Sequence, residues 1–445
     1  MKFAFYTLGC KVNQFETQAM EKQLIAMGHS LGTFQEPCDG YIINTCTVTA
    51  VADKKNRAII RRCRRENPRA VVGVCGCYAQ VSTEAVRELE VDVISGSAGR
   101  EDFIHMMVRA ARERIHLEQV DEALKRREFE LLPPGGLEER TRAMLKVQDG
   151  CNNFCSYCII PYARGPVRSE PMETALEQAK MLSAAGYREI VVTGIEIASW
   201  GWDLKNGQDL TDLLEALCQA LPQVRIRLGS LEPRIITADF CRRLSIFPNL
   251  CPQFHLSLQS GSDTVLKRMR RKYDTARYFE SVELLRQAFP GCAITTDVIV
   301  GFPGETEEEL EESLAFARKC GFAAMHIFPY SRRPGTPADK MPGQLLKAEK
   351  EARSAGAIAV ARELEEQYLT RLVGTVQEVL LEETAPCTAE ERTALGLTAN
   401  QELWTGHSPN YAKIYVPGSL LHNQVRSVLV MGLFRDGVLA KLTER

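Results

Sequence analysis

The stretch DGCNNFCSYCIIPYARGP, residues 149–166, sets Cys151, Cys155 and Cys158 in a C-x3-C-x2-C spacing, with no fourth cysteine and no histidine. Structural zinc sites close with four ligands, and disulfide frameworks consume cysteines in pairs. Three thiolates suit a 4Fe–4S cluster, which they hold while leaving one iron open to a ligand from outside the chain. A zinc knuckle, or cysteines with no shared role, is the competing reading of the same spacing.

A second set is spread over the first 80 residues. Cys10 follows KFAFYTL, Cys46 follows GYIINT, and Cys75 and Cys77 follow AVVGV. Each segment reads as a strand of a parallel sheet, and ligands bind outside the carboxyl ends of such strands. Thiols far apart in sequence can therefore converge on one point. Cys38, Cys63, Cys218, Cys241, Cys251, Cys292, Cys320 and Cys387 lack this placement and read as small buried hydrophobes. The start MKFAFYTLGC has no signal-peptide pattern, so a cytoplasmic chain is expected, and its 15 cysteines argue for metal or redox use over disulfides.

The elements that must position these thiols follow from the patterning. Residues 1–115 alternate strand-like and helix-like segments, with helical runs from about Gln14 to Met27 and Val48 to Arg65. That rhythm predicts an α/β domain over 1–130, a doubly wound parallel sheet. The helix-prone DEALKRREFE and the breaker LLPPGG (131–136) mark a linker. Six βα units follow within 137–371, at AMLKVQD, EIVVTG, VRIRLGS, QFHLSL, AITTDVIVG and AAMHIFPY, and a charged helix runs from about Gln344 to Arg371. Six units are too few for a closed eight-stranded barrel, so a partial (β/α)6 barrel is expected, with its site at the strands' carboxyl ends. The three-cysteine loop sits directly after the first of these strands. Short β segments fill 372–445 and predict a small β-barrel.

Net charge is −2, 45% of residues are hydrophobic and 25% charged, as in an ordinary soluble protein with no global nucleic-acid signature. The local exception is KKNRAIIRRCRR, seven basic and no acidic residues at 54–65. Lys54, Arg57, Arg61 and Arg64 fall on one helix face and would attract phosphates, or form a plain solvated face. In SPNYAKIYV, Tyr411 and Lys413 alternate with Tyr415 and would stack on and pair with RNA, or serve as ordinary strand residues. The C-terminal segment from Gly374 carries six Lys or Arg against eight Asp or Glu, an acidic balance at odds with RNA binding.

The C-x3-C-x2-C loop, with the aromatic Tyr157 before its last cysteine, resembles the radical S-adenosylmethionine (SAM) superfamily, in which SAM chelates the open iron. TLGCKVNQFETQ, NTCTV and GCYAQ resemble the cysteine motifs of the methylthiotransferase family, and HLSLQSGSDTVLKRMRRKY, TDVIVGFPGETEEE and HIFPYSRRPGTPA resemble its central block. The C-terminal segment resembles a TRAM domain, an RNA-binding module of the OB type. The resemblance covers nearly the whole chain and implies two 4Fe–4S clusters. One, on Cys151, Cys155 and Cys158, would cleave SAM to a hydrogen-abstracting radical. The other, on Cys10, Cys46 and Cys77, would handle the sulfur. Cys77 is the match to GCYAQ, which leaves Cys75 as a spare thiol beside it. Tyr157, Gly194, Glu196, Glu232, Gln259 and Gly301 would line the SAM site. A flavodoxin or ferredoxin would donate electrons, and tRNA is the expected partner. LGCKVNQFETQ, GCYAQ and SLEP point within the family to threonylcarbamoyladenosine beside the anticodon, whereas the isopentenyladenosine subgroup more usually reads Gln-Met-Asn after its first cysteine. Isopentenyladenosine, a ribosomal-protein aspartate, or a non-enzymatic metal- and RNA-binding scaffold are the alternatives.

Overall fold

The computed structural model describes residues 1–136 and 141–443. The expected start of the central domain at residue 137 and the last two residues lie outside the described residues.

The first layer runs β1 (Lys2–Thr7), α1 (Lys11–Ala26), β2 (Ser30–Gly32), β3 (Gly40–Thr45), α2 (Ala50–Glu66), β4 (Val71–Gly76), α3 (Cys77–Val81), α4 (Thr83–Arg87), β5 (Val93–Ser95), α5 (Arg100–Glu113) and β6 (Leu117–Gln119). Its strands form one parallel sheet in the order β2-β1-β3-β4-β5-β6. Both faces are buried. Tyr41, Ile43, Val72 and Val74 pack against Ile60 and Cys63 of α2. Phe3, Ile42 and Val71 pack with Met20 and Leu24 of α1 and Phe103 and Met107 of α5. Alternate residues of one strand thus feed two different cores, the period-2 signature of a sheet covered on both sides. The three-residue edge strands β2 and β6 are additions to the four strands expected. The helix-prone DEALKRREFE is extended apart from a 3-10 turn at Ala123–Lys125.

The second layer runs β7 (Arg142–Lys146), β8 (Gln148–Asp149), α6 (Ile160–Arg164), β9 (Arg168–Ser169), α7 (Met172–Ala184), β10 (Glu189–Thr193), α8 (Leu210–Ala220), β11 (Arg225–Leu228), β12 (Ser230–Leu231), α9 (Ala238–Leu244), β13 (Gln253–Leu256), α10 (Asp263–Arg268), α11 (Thr275–Ala288), β14 (Ala293–Val300), α12 (Glu307–Cys320), β15 (Ala324–Pro329) and α13 (Lys347–Thr370). β7, β10 and β11 pair in parallel, as do β12, β13, β14 and β15. β11 and β12 are the two halves of one strand broken at Gly229, so six βα strands form an open barrel in two joined sheets. Leu145, Val192, Ile226, Phe254 and Ile294 point outward into the core shared with the helices. Their neighbours Met144, Val191 and His255 therefore face the lumen.

The last layer holds β16 (Val376–Thr384), α14 (Ala389–Ala394), β17 (Glu402–His407), β18 (Lys413–Gly418), β19 (Gln424–Phe434) and β20 (Gly437–Leu442). The five strands close into a barrel in the order β16-β17-β18-β20-β19, antiparallel except for β18 on β20. This is the small β-barrel expected from the sequence, closed with five strands because β17 joins the four segments anticipated there. It caps the amino-terminal ends of the central strands. Arg142 pairs with Glu382 at 2.9 Å, Arg225 with Glu378 at 2.7 Å, and Arg227 donates to the Pro409 carbonyl at 2.9 Å. Among the described residues no helix is long and apolar enough to cross a membrane.

Candidate functional site

The three-cysteine loop leaves β8 at the carboxyl end of the first barrel strand and is pinned from two sides. The Cys151 amide donates to the Gly165 carbonyl at 3.0 Å, and Ser156 donates its amide to Met269 at 3.0 Å and its hydroxyl to Arg268 at 2.8 Å. Burial pushes the thiols of Cys151 and Cys158 up to about 12, and Cys155 adds to both. Arg271 donates from Nη1 to Cys155 Sγ at 3.2 Å and from Nε to the Tyr273 hydroxyl at 2.9 Å. Tyr157 packs edge-on to Phe302, ring centroids 6.4 Å apart, and so ties this loop to the turn that ends β14.

The other expected SAM-site residues sit at successive strand ends. Glu196 follows β10, and its amide donates to Gln148 Oε1 at 2.8 Å. Burial, with Glu232 adding repulsion, pushes its carboxyl up to about 7. Glu232 follows β12 and pairs with Arg234 at 3.0 Å. Gln259 adopts φ +68°, a left-handed conformation held by backbone bonds of 2.8 Å to Asp297 and Ile299. Two glycines have local reasons that involve no ligand. A Cβ at Gly194 would sit 2.8 Å from Gln148, and Gly301 has φ +70° with Lys350 occupying the place of its side chain.

The sheet brings the second set together. Cys10, Cys46 and Cys77 stand at the carboxyl ends of β1, β3 and β4. Gly9, at φ +114°, allows the close approach, since a Cβ there would lie 2.8 Å from Cys46 Cβ. Burial pushes Cys46 up to about 12, with Cys77 and then Cys10 raising it further. Cys10 is exposed, whereas Cys46 and Cys77 are buried. Cys75 lies two residues before Cys77 on the opposite side of the turn, packed with Phe3, Ile42, Val71 and Phe103 in the core under α5.

A buried ionic network lies between the first two layers and reaches the second cysteine set at Cys77. Arg164, six residues after Cys158, donates from Nε to Cys77 Sγ at 3.1 Å and from Nη2 to Asn13 at 3.0 Å, and it pairs with Glu16. Glu16 also binds Arg100 at 3.0 Å and Lys146 at 3.3 Å, while Lys146 binds Asp149 at 2.8 Å. Burial alone would raise Glu16, yet Arg100, Arg164 and Lys146 hold it at about 2. Each cysteine set thus receives one guanidinium donor, Arg164 or Arg271. Both residues escaped the sequence reading, because 87 and 116 positions separate them from the sulfurs they meet. Three thiolates with a cationic N–H donor form a donor set that fits an iron–sulfur cluster, since hydrogen bonds to sulfur are among the protein's means of tuning one.

The expected RNA contacts divide. On α2, Lys54 and Arg61 are exposed. Arg57 instead donates to the Tyr78 hydroxyl at 3.1 Å, and Arg64 pairs with Asp92 at 2.8 Å. Tyr411 is a turn residue at φ +65°, outside β18. Its ring stacks on His407 at 4.5 Å and lies 4.7 Å from the Arg227 guanidinium, at the seam between the two barrels. Lys413 is paired with Asp436 at 2.8 Å.

The Radical SAM superfamily pattern matches residues 145–317, and that of Uncharacterized protein family UPF0004 matches residues 2–96. The chain is 41% identical over 94% of its length to a Threonylcarbamoyladenosine tRNA methylthiotransferase MtaB from Bacillus subtilis, covering 90% of that protein. It is 38% identical to a protein of the same name from Aquifex aeolicus, over 82% of this chain and 88% of that one. It is 31% identical to a tRNA-2-methylthio-N(6)-dimethylallyladenosine synthase from Pelotomaculum thermopropionicum, over 86% of each. In fold it is similar to the radical S-adenosylmethionine methyltransferase TsrM from Kitasatospora setae, with a TM-score of 0.55, 14% identity, and 76% of this chain and 73% of that one covered.

Proposed function

The chain belongs to the MtaB family of radical SAM tRNA methylthiotransferases, and from that premise we propose that it methylthiolates the C2 carbon of threonylcarbamoyladenosine beside the tRNA anticodon. The single observation that carries this reading is the presence of two three-thiol sites in one chain, each with one guanidinium donor. Cys151, Cys155 and Cys158 would hold the cluster that binds SAM, and Cys10, Cys46 and Cys77 would hold the second. When bound, the first would supply the electron for SAM cleavage, and the second would bind or provide the sulfur that is transferred.

The chain's own residues bind, orient and exclude. Arg271 and Arg164 offset the negative charge of the cysteine sets inside a low-dielectric interior. Glu196 and Glu232 accept hydrogen bonds from SAM's amino or ribose groups, and Tyr157, through Phe302, fixes the loop against the turn after β14. Asn13 donates to the Leu8 carbonyl at 3.1 Å and the Thr45 carbonyl at 2.9 Å, which holds the Cys10 and Cys46 loops in register. Lys54 and Arg61 of α2, with the C-terminal barrel, contact the RNA. A flavodoxin- or ferredoxin-type protein delivers the electrons, and the work is done where tRNA is, in the cytoplasm.

The test is mass spectrometry of nucleosides from tRNA treated with anaerobically reconstituted enzyme, SAM and a reductant. Conversion of threonylcarbamoyladenosine to its 2-methylthio form is expected. Conversion of isopentenyladenosine alone, of a ribosomal-protein aspartate, or a colourless zinc-loaded protein with no SAM cleavage would each overturn the reading.

A further inference from the structure

Lys11 follows Cys10 at the start of α1, is exposed, and pairs with no carboxylate among the described residues. It is not, however, on an open surface. It lines a cavity of about 460 Å³ between helix α1, strands β7, β10 and β11 of the central barrel, and the C-terminal barrel. Met144 and Val191 form the apolar part of that wall. The other charges there are largely satisfied: Arg142 pairs with Glu382 at 2.9 Å and Arg227 with Glu189 at 2.7 Å, leaving Glu383 at the rim. Lys11 is the cation left over.

A carboxylate-bound imidazole lies within electrostatic reach of it. His326 of β15 places Nδ1 3.1 Å from Asp297 of β14, and His255 of β13 places Nε2 3.4 Å from the same carboxylate. The two imidazoles stack at 6.0 Å, and the His326 side chain is 63% exposed. Asp297 holds His326 above the ordinary histidine value, and the charge of Lys11 reaches it. The hydrogen bond to Asp297 fixes the ring so that Nε2 is the atom left for a ligand.

The substrate proposed above differs from an isopentenyl-bearing base in one decisive group. Its threonyl arm ends in a carboxylate, whereas an isopentenyl arm is wholly apolar. We infer that Lys11, with His326 positioned by Asp297, forms the receptor for the threonyl carboxylate and is what makes this chain select that nucleoside. The inference rests on the functional reading and deepens it. Lys11 adjoins Cys10, so an arm held there keeps its adenine beside the second cysteine set. An apolar arm would leave the ammonium desolvated without a partner, which is how a built polar site rejects an analogue that lacks the matching group.

The test uses reconstituted holoenzyme and two anticodon stem-loop RNAs, one with free threonylcarbamoyladenosine and one with its methyl ester, with Kd measured for each. The wild type should favour the free acid roughly tenfold to a hundredfold, the range of one charge-assisted hydrogen bond. Lys11→Met should bring that ratio near one, Lys11→Arg should keep most of it, and His326→Gln should lose part of it. The ester controls for folding and for general RNA affinity, and iron content controls for the neighbouring Cys10. A wild type that binds acid and ester alike, or a Lys11→Met protein that keeps the wild-type ratio, overturns the inference. Failure of the wild type to methylthiolate the free-acid RNA under any condition would instead strike the functional reading itself.

Discussion

A single N–H···S contact ties Arg164 of the central layer to a thiol of the first layer. It belongs to the helix that follows the SAM-site loop, yet it donates to Cys77 of the other set. Hydrogen bonds to cluster sulfurs favour the more negative, reduced state and so raise the potential. Arg164→Gln should therefore move the second cluster to a more negative potential and lower its iron retention, while the first cluster shifts less. Redox titration followed by electron paramagnetic resonance reads both, and equal shifts at the two clusters would contradict the assignment. Glu196 offers a separate residue-scale test. Its carboxyl, pushed up to about 7 by burial and by Glu232, is only part ionised at neutral pH. The ionised form is the better partner for SAM's sulfonium charge and N–H and O–H donors. SAM affinity should rise with pH through about 7 in the wild type, and Glu196→Gln should flatten that dependence in a calorimetric titration.

At the scale of elements, the turn from β9 into α7 carries a carboxyl the fold keeps neutral. Burial pushes Glu170 up to about 8, with Lys146 only partly opposing, and its Oε1 accepts from Gln178 at 2.8 Å. A carboxyl whose folded value lies above its unfolded value stabilises the fold at low pH, and that contribution fades as pH rises toward the folded value. Denaturant midpoints should therefore show the wild type losing stability relative to Glu170→Gln between about pH 5 and 8, and parallel profiles would count against it. Elements of this kind also mark what was legible beforehand. The βα rhythm of both central layers was readable, because alternating apolar positions and turn residues recur wherever a strand is covered. β17 was not, since ELWTGH mixes charge, glycine and histidine, and its pairing with β16 and β18 comes from barrel closure. The six thiols could be read from spacing and motif, whereas Arg164, Arg271 and Glu16 could not. All three fall inside the quoted motifs, but their roles arise from contacts between segments far apart in the chain, and the motifs do not say what each side chain meets.

Over the whole molecule the question is where a polyanion lies on a chain whose net charge is −2. The C-terminal barrel spends two of its cations internally, Lys413 on Asp436 and Arg435 on Glu391. On α2 the helical repeat alone placed four basic residues together, but packing commits Arg57 to Tyr78 and Arg64 to Asp92. Lys54 and Arg61 remain exposed and are the two proposed above to meet phosphates. Each phosphate contact by a basic side chain releases condensed counterions and steepens the salt dependence of binding by about one unit of log K per log salt. Lys54→Ala and Arg61→Ala should each weaken tRNA binding and flatten that slope by roughly one unit or less. Arg64→Ala should lower the melting temperature and leave the slope near the wild-type value, because its charge is already matched by Asp92. Filter binding across a salt series reads the slope directly. A slope that falls with Arg64 and holds with Lys54 and Arg61 would mean that RNA displaces the Asp92 pair and approaches from the side of β4 and β5.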